Sequence, residues 1–106
     1  MRKRRVVLAP EALADLAAIS TWLREEASAA VAQRYLARIK KRLAGLAHAS
    51  ERGTVRDDVA KGLRVIGIAA SASVAFRVQD DRVTVLRVVY GGQNWQSVLT
   101  TESDDD

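Results

Sequence analysis

The sequence predicts an α+β fold in which a helical hairpin packs on a mostly antiparallel sheet of three to four strands, in the order β-α-α-β-β-β. Two observations favour this class. Apolar residues recur with helical spacing in two long segments before residue 50, and three short β-branched runs follow between residues 63 and 90. With 106 residues, the chain fits a single domain, 1–106. We expect the basic segment 1–5 and the acidic segment 100–106 to be flexible, solvated tails.

Composition excludes several classes of protein. The chain has 48% apolar and 28% charged residues, a balance typical of a globular protein. It has no cysteine, which excludes a disulfide framework and a thiolate metal site. No metal-ligand spacing or phosphate-binding glycine motif is present, so we expect no metal and no cofactor. No apolar run approaches the length of a membrane span or of a signal peptide's apolar region, so we expect a cytoplasmic protein with no membrane partner.

The first strand and the first helix follow from residues 4 to 26. Residues 4–8, RRVVL, are short and β-branched and suit a strand. Pro10 suits the first turn of a helix, because its fixed φ is already helical. Ala9, at the cap position, has no side-chain oxygen, and this omission costs on the order of 1 kcal/mol. Five apolar residues then fall on one arc of the helix: Ala12, Leu13, Leu16, Ile19 and Leu23.

A second helix is predicted from Ser28, which can cap it, to about residue 49. Its apolar side, expected to face the sheet, consists of Ala32, Tyr35, Leu36, Ile39, Leu43 and Leu46. Four cations, which we call the basic stripe, line another side at i, i+4, i+7 and i+8: Arg34, Arg38, Lys41 and Arg42. Residues 27–50 contain no Asp or Glu. The basic stripe is a candidate surface for a charged partner, and the alternative is a solvated helix face.

Three strands are predicted after a loop at residues 51–62, and they span 63–68, 73–79 and 82–90. The turn residues at 79–81 make the last two strands a hairpin. Alternation along the middle strand places Val74, Phe76 and Val78 on one face, and Ala75 and Arg77 on the other.

Cationic side chains on these strands are the candidate site residues. Arg64, Arg77 and Arg87 each lie within a predicted strand, with Lys61 and Tyr90 nearby. A guanidinium offers five donors in a fixed fork, a geometry that fits phosphates and carboxylates. The alternative is that these arginines pair with acids of the chain or extend along the open face of the sheet.

Four motifs carry a resemblance to a known family: APEALADL at 9–16, GLR at 62–64, the pair Phe76-Arg77, and VLRVVYGGQNW at 85–95. Over roughly residues 6–99, the chain resembles ParE-type toxins of the ParE/RelE superfamily. The resemblance implies the β-α-α-β-β-β fold. It also implies that the chain is the toxin component of a type II toxin–antitoxin system.

ParE-type toxins poison DNA gyrase by binding it and trapping its covalent cleavage complex with DNA, and they have no known catalytic residues. The resemblance therefore implies two partners. One is a cognate ParD-like antitoxin, with which the toxin would form a hetero-oligomer, and the other is DNA gyrase with its DNA, contacted through the A subunit. The candidate target-binding residues are Arg64, Arg77, Arg87, Tyr90 and Trp95.

RelE-like relatives support an alternative activity, the ribosome-dependent cleavage of mRNA. Those proteins use Lys, Arg and Tyr side chains on the same sheet, and the matching set here is Lys61, Arg64, Arg87 and Tyr90. The chain departs from the commoner ParE pattern in two places, because Ala9 replaces a usual Ser and Tyr90 stands where His is frequent. The tyrosine keeps the nuclease alternative open.

Strand alternation favours the gyrase poison over the nuclease. Arg87 and Tyr90, three residues apart, are expected on opposite faces, Arg87 with Val85 and Tyr90 with Val88. A nuclease site needs both side chains within hydrogen-bond reach of one phosphate. We expect instead that Arg87 is exposed on the open face of the sheet, where a partner's acidic group or phosphate can bind it. A third alternative, a basic nucleic-acid-binding module, would use the basic stripe for phosphate contacts but has few aromatic residues for stacking.

Overall fold

Two helices pack on a five-stranded sheet, and the predicted α+β class is confirmed. The structure is a computed structural model that describes residues 3–48, 51–69 and 72–91. Its elements, in chain order, are β1 (Arg5–Leu8), α1 (Pro10–Glu26), α2 (Ala29–Gly45), β2 (Thr54–Val55), β3 (Leu63–Ala69), β4 (Ala72–Val78) and β5 (Arg82–Tyr90).

The sheet has the strand order β1-β5-β4-β3-β2, with β1 parallel to β5 and every other pair antiparallel. The sequence predicted three to four strands, and the additional strand is β2, which lies in the stretch 51–62 predicted as a loop. Two residues are too few for an alternating pattern to appear. Gly53, at φ +77°, brings the backbone so close to β3 that a Cβ there would overlap the carbonyl oxygen of Val65.

Backbone hydrogen bonds hold Arg4 to the turn after α2 and Arg5 to the turn between β4 and β5. The Arg4 N–H donates to the carbonyl oxygen of Ala47 at 2.7 Å, and the Arg5 N–H donates to that of Asp81 at 3.0 Å. The Arg4 Nε also donates to the carbonyl oxygen of Gln79 at 2.8 Å. Two residues of the segment 1–5, predicted as a tail, are therefore held at the end of the sheet.

The helix boundaries follow from local chemistry. Helix α1 begins at Pro10, as predicted, and the preceding Ala9 makes no side-chain cap bond. Helix α2 follows Ser28, whose Oγ accepts a hydrogen bond of 3.1 Å from the Val31 N–H, so the predicted cap is confirmed. The helix ends at Gly45 rather than near residue 49, because the next backbone N–H groups bond to carbonyls three residues back and tighten the chain into a turn.

A β-bulge interrupts the alternation of β5. Ala75 of β4 pairs with Arg87, whereas the next residue, Phe76, pairs with Val85, so Leu86 is the extra residue. Val85 and Val88 therefore both face the helices and belong to the same core cluster. The prediction that grouped Val85 with Arg87 on one face is wrong, because strict alternation does not continue through a bulge.

The core lies between the helices and the inner face of the sheet. Phe76, Val74 and Ile39 are fully buried there, and burial of each such side chain contributes roughly 1.5–3 kcal/mol. The exposed Arg77 lies on the other face of β4, which confirms the predicted alternation of that strand. The apolar arc of α1 is confirmed except at Leu13, which is 56% exposed.

Candidate functional site

Arg87 is held by an acid of the first helix. Its Nε and Nη2 donate to the two carboxylate oxygens of Asp15 at 2.7 and 2.8 Å. The side chains of Arg87 and Asp15 are only 17% and 14% exposed. The prediction that Arg87 presents a free cation on the open face is therefore wrong. Its guanidinium lies against α1.

Asp15 is placed where β5 loses its parallel neighbour. Pairing of β1 with β5 ends at Val85, whose carbonyl oxygen accepts a last hydrogen bond from the Ala9 N–H at 2.9 Å. Three residues later, the Val88 N–H donates to Oδ2 of Asp15 at 2.8 Å. The carboxylate thus satisfies a strand N–H that would otherwise be left at the sheet edge, and it binds Arg87 with the same oxygen.

Tyr90 ends β5 between two aromatic rings, one from each helix. Its ring centroid lies 5.3 Å from that of Trp22 on α1 and 5.3 Å from that of Tyr35 on α2. Trp22 remains 48% exposed. Burial raises the pKa of Tyr35, the nearby Tyr90 phenol raises it further, and the positive charge of Arg38 acts in the opposite direction. We call Trp22, Tyr35 and Tyr90 the aromatic cluster.

The four side chains of the nuclease alternative do not converge. Arg64 pairs with Phe76 on β4, whereas Tyr90 pairs with Ala72 on the same strand. Those two positions of β4 are four residues apart, roughly 13 Å along the strand. In addition, Arg64 belongs to β3 and Tyr90 to β5, the two strands that flank β4. The bulge at Leu86 precedes Arg87, so it leaves the spacing from Arg87 to Tyr90 unchanged.

Three members of that set, Lys61, Arg64 and Arg87, are also either remote from the others or already bound to other residues. Lys61 lies exposed in the turn before β3. Arg64 donates from Nη1 to the carbonyl oxygen of Arg52 at 3.3 Å. Arg87 is held by Asp15, so its guanidinium donors that bind the carboxylate are not available to a phosphate.

Arg77 differs from the other strand arginines. It is exposed, on the face of β4 that points away from the helices, and its backbone neighbours across the sheet are Leu63 and Thr84. A guanidinium in this position can meet a phosphate or carboxylate of a partner without first breaking a buried ion pair. The last predicted target-binding residue, Trp95, lies outside the described residues.

The basic stripe lies on the solvent side of α2. Arg34, Arg38, Lys41 and Arg42 are all exposed, as the helical spacing predicts. None of the four makes a hydrogen bond or ion pair to another residue that the structure describes. Since α2 contains no acid, the four charges form one patch with no acidic side chain on the same helix.

An apolar groove runs along the outer side of the helical hairpin, and the sequence did not predict it. Its volume is about 640 Å³. Leu13 and the alanines at 17, 29 and 37 line it, with Arg24 and Lys40 among the lining residues. We call it the hairpin groove. Small residues beside the buried arcs of the two helices were the available signal in the sequence.

Two kinds of site are absent from the part of the chain that the structure describes. Within residues 3–48, 51–69 and 72–91, no three His, Asp or Glu side chains come together in a way that would hold a metal ion. None of the described helices is long and apolar enough to cross a membrane.

Comparison with known proteins gives two matches of different kinds. The family model described as the ParE toxin of the type II toxin–antitoxin system parDE matches residues 6–95. Among solved structures, a chain of the chromosomal ParDE toxin–antitoxin system from P. aeruginosa superimposes with a TM-score of 0.74, at 21% identity, covering 84% of this chain and 97% of that one. At that identity the superposition shows a shared fold. Comparison with curated proteins finds no match.

Proposed function

The chain belongs to the ParE toxin family of type II toxin–antitoxin systems, and from this membership we propose that it inhibits DNA gyrase by binding the enzyme and trapping its cleavage complex with DNA. The observation that carries the proposal is the match of the family model across residues 6–95, which covers every element of the fold apart from Arg5, the first residue of β1. A cognate ParD-like antitoxin neutralises the toxin in the cytoplasm.

Binding, rather than catalysis by the toxin itself, is supported by the geometry of the sheet. General acid–base cleavage of RNA needs donors and a base within hydrogen-bond reach of one phosphate. The register puts Arg64 and Tyr90 far apart, and Asp15 holds Arg87. The nuclease alternative therefore lacks a convergent site among the described residues.

Arg77 makes the direct contact with gyrase or its DNA, whereas Arg87 acts by positioning. Arg77 is exposed on the outer face of the sheet, where a phosphate can bind it bidentately. The contacts of Asp15 with Arg87 and Val88 fix the last residues of β5 and so orient Tyr90. Strand β5 ends at Tyr90, and this strand end presents Tyr90 to the target.

The antitoxin occupies the hairpin groove. The groove is apolar, with cations from both helices among its lining residues, so it suits an amphipathic partner segment that carries acidic side chains. A segment that folds on binding would cover the exposed Leu13 and the neighbouring alanines. The basic stripe, on a different side of α2, increases the rate of encounter with an acidic antitoxin.

Expression without the antitoxin tests the choice of target. The chain should arrest growth, induce the DNA-damage response and leave gyrase-linked DNA breaks while mRNA stays intact. Ribosome-dependent mRNA cuts that appear before any DNA damage would instead establish the nuclease alternative.

Two exposed cations provide a matched pair of variants for that experiment. Arg77→Ala should raise the dose needed for growth arrest about tenfold, the loss expected of one good interface contact. Lys61→Ala removes a residue that only the nuclease alternative requires, and it should leave toxicity unchanged. Lost toxicity in Lys61→Ala with retained toxicity in Arg77→Ala would reverse the assignment.

Hydrogen exchange with and without the antitoxin tests the groove. Amides in residues 10–45 should become more protected in the complex. Leu13→Lys should weaken antitoxin binding, whereas Val55→Lys, at a comparably exposed apolar side chain outside the groove, should not. Equal weakening by the two variants would mean that the antitoxin binds elsewhere.

A further inference from the structure

The basic stripe has a candidate partner within the same chain. Beyond the described residues, the sequence places four acids close together: Glu102, Asp104, Asp105 and Asp106. The basic stripe presents four cations without an acidic neighbour on its helix. We propose that residues 102–106 bind in cis to the basic stripe and so compete with acidic partners for it.

The point where β5 ends is close to the basic stripe. Tyr90 is the last residue of β5, and its ring centroid lies 5.3 Å from that of Tyr35 on α2. Tyr35 is the neighbour of Arg34 in the chain and precedes Arg38 by one turn, close enough for the charge of Arg38 to affect the pKa of Tyr35. The chain therefore leaves the sheet beside the first half of the stripe.

The connecting chain is long enough to reach all four cations. Ten residues, 92–101, join Gly91 to Glu102, and the connection spans at most roughly 36–40 Å when extended. The stripe covers nine helical residues, 34–42, or roughly 12 Å along the helix axis. The covalent link is therefore about three times as long as the stripe, which is sufficient length for the four acids to reach its cations.

Tethering makes such a contact effective even though exposed ion pairs are individually weak. A short tether gives the acidic segment an effective concentration on the order of millimolar at the stripe. A free acidic peptide at micromolar concentration would have to compete with this much higher effective concentration of the tethered acids. The contact must also weaken as salt screens the charges.

Three other arginines of the described residues already bind side chains of the protein. Arg87 is held by Asp15, and Arg56 by Asp58 at 2.7 Å. Arg82 donates from Nε to Oε1 of Gln79 at 2.7 Å. The basic stripe offers four neighbouring charges on one rigid helix, and an acidic segment gains most where it meets several cations together.

Nuclear magnetic resonance of the full chain tests the proposal. The variant carrying Glu102→Gln, Asp104→Asn, Asp105→Asn and Asp106→Asn should shift the amide signals around the stripe and leave those of β4 and β5 in place. In the unmodified chain, about 1 M salt, where the Debye length falls to about 3 Å, should cause the same shifts. A control variant with Thr101→Ser and Ser103→Ala alters the same segment without changing its charge, and it should leave the stripe signals unchanged.

A second measurement uses a polyglutamate peptide as the probe. It should bind the neutralised variant several-fold more tightly than the unmodified chain at low salt. Adding Arg38→Glu and Lys41→Glu should remove that difference. Equal affinities in the two chains, or stripe signals that do not respond to the neutralised segment, would overturn the proposal. Shifts that vanish on dilution would show contact between two copies and would also overturn it.

The readouts use neither gyrase nor antitoxin. Failure here therefore leaves the proposed function unaffected, and failure of the proposed function leaves this contact unaffected.

Discussion

The guanidinium of Arg87 binds both carboxylate oxygens of Asp15, a residue that lies 72 positions earlier in the chain. The same carboxylate accepts the Val88 N–H at 2.8 Å. One acidic side chain thus joins α1 to β5 at the point where β1 no longer covers that strand. Tyr90 follows Val88 by two residues and contacts a ring of each helix, so the ion pair lies next to the end of β5.

Removal of the carboxylate should therefore destabilise the fold strongly. Asp15→Ala leaves the Arg87 charge partly buried and the Val88 N–H without its acceptor, so the free energy of unfolding should fall by about 3 kcal/mol. Asp58→Ala is the matched control, because it breaks an exposed pair with Arg56 that solvent screens, and it should cost much less than Asp15→Ala. Urea unfolding of the two variants measures both. Equal losses would mean that the Asp15 contacts contribute no more than a surface ion pair.

Removing a serine hydroxyl before α2 and adding one before α1 should change the stability of the protein in opposite directions. Ser28→Ala removes the bond to the Val31 N–H and should destabilise the protein by about 1 kcal/mol. Ala9→Ser supplies a missing cap at an extended backbone position, φ −63° and ψ 154°, and should stabilise by about 0.5–1 kcal/mol. Thermal unfolding measures both changes. A destabilising Ala9→Ser would show that the serine oxygen does not reach the helix N–H groups.

Two glycines with the same backbone conformation should differ in their tolerance of a side chain. Gly53 and Gly62 have φ of +77° and +75°. Gly62→Ala meets open space and should cost about 1–2 kcal/mol from backbone strain alone. Gly53→Ala also collides with the Val65 carbonyl, so it should cost more and disturb the pairing of β2 with β3. Unfolding energies and amide exchange at Val65 report the two effects, and equal costs would contradict the close approach.

Ionisation of the Tyr35 phenol should reduce the stability of the protein at alkaline pH. Its folded-state pKa is raised, first by burial and then by Tyr90, so the folded protein holds this proton more tightly than the unfolded chain. The stability that this proton contributes is complete below the unfolded pKa of about 10 and is lost as the pH rises through the folded pKa. Unfolding midpoints measured above pH about 10 should therefore fall less steeply in Tyr35→Phe than in the unmodified chain. Parallel slopes would show that Tyr35 titrates normally.

Local patterns were sufficient to predict most elements. Pro10 and the spacing of apolar residues placed α1, Ser28 placed the start of α2, and the turn at 79–81 placed β5. The same helical period correctly predicted that the basic stripe is exposed to solvent. Each of these features depends on residues within about one turn or one strand of each other.

The features that the sequence did not reveal depend on distant residues or on single irregular positions. No local pattern relates Asp15 to Arg87, so Arg87 was predicted as an exposed cation. The bulge at Leu86 has no signature in a run of valines, and it changes which side chains share a face. Strand β2 is formed by only two residues and depends on Gly53. Trp95, predicted to bind the target, lies outside the described residues.

The most direct test of the proposed target uses purified gyrase and supercoiled plasmid DNA. With ATP present, addition of the toxin should produce linear DNA that is released only after protein digestion, because trapped gyrase remains covalently attached to the cut ends. The amount should rise with toxin concentration, fall when the antitoxin is added, and be reduced in Arg77→Ala. Plasmid that stays uncut at every toxin concentration, together with cleavage of mRNA on purified ribosomes, would contradict the assignment of gyrase as the target.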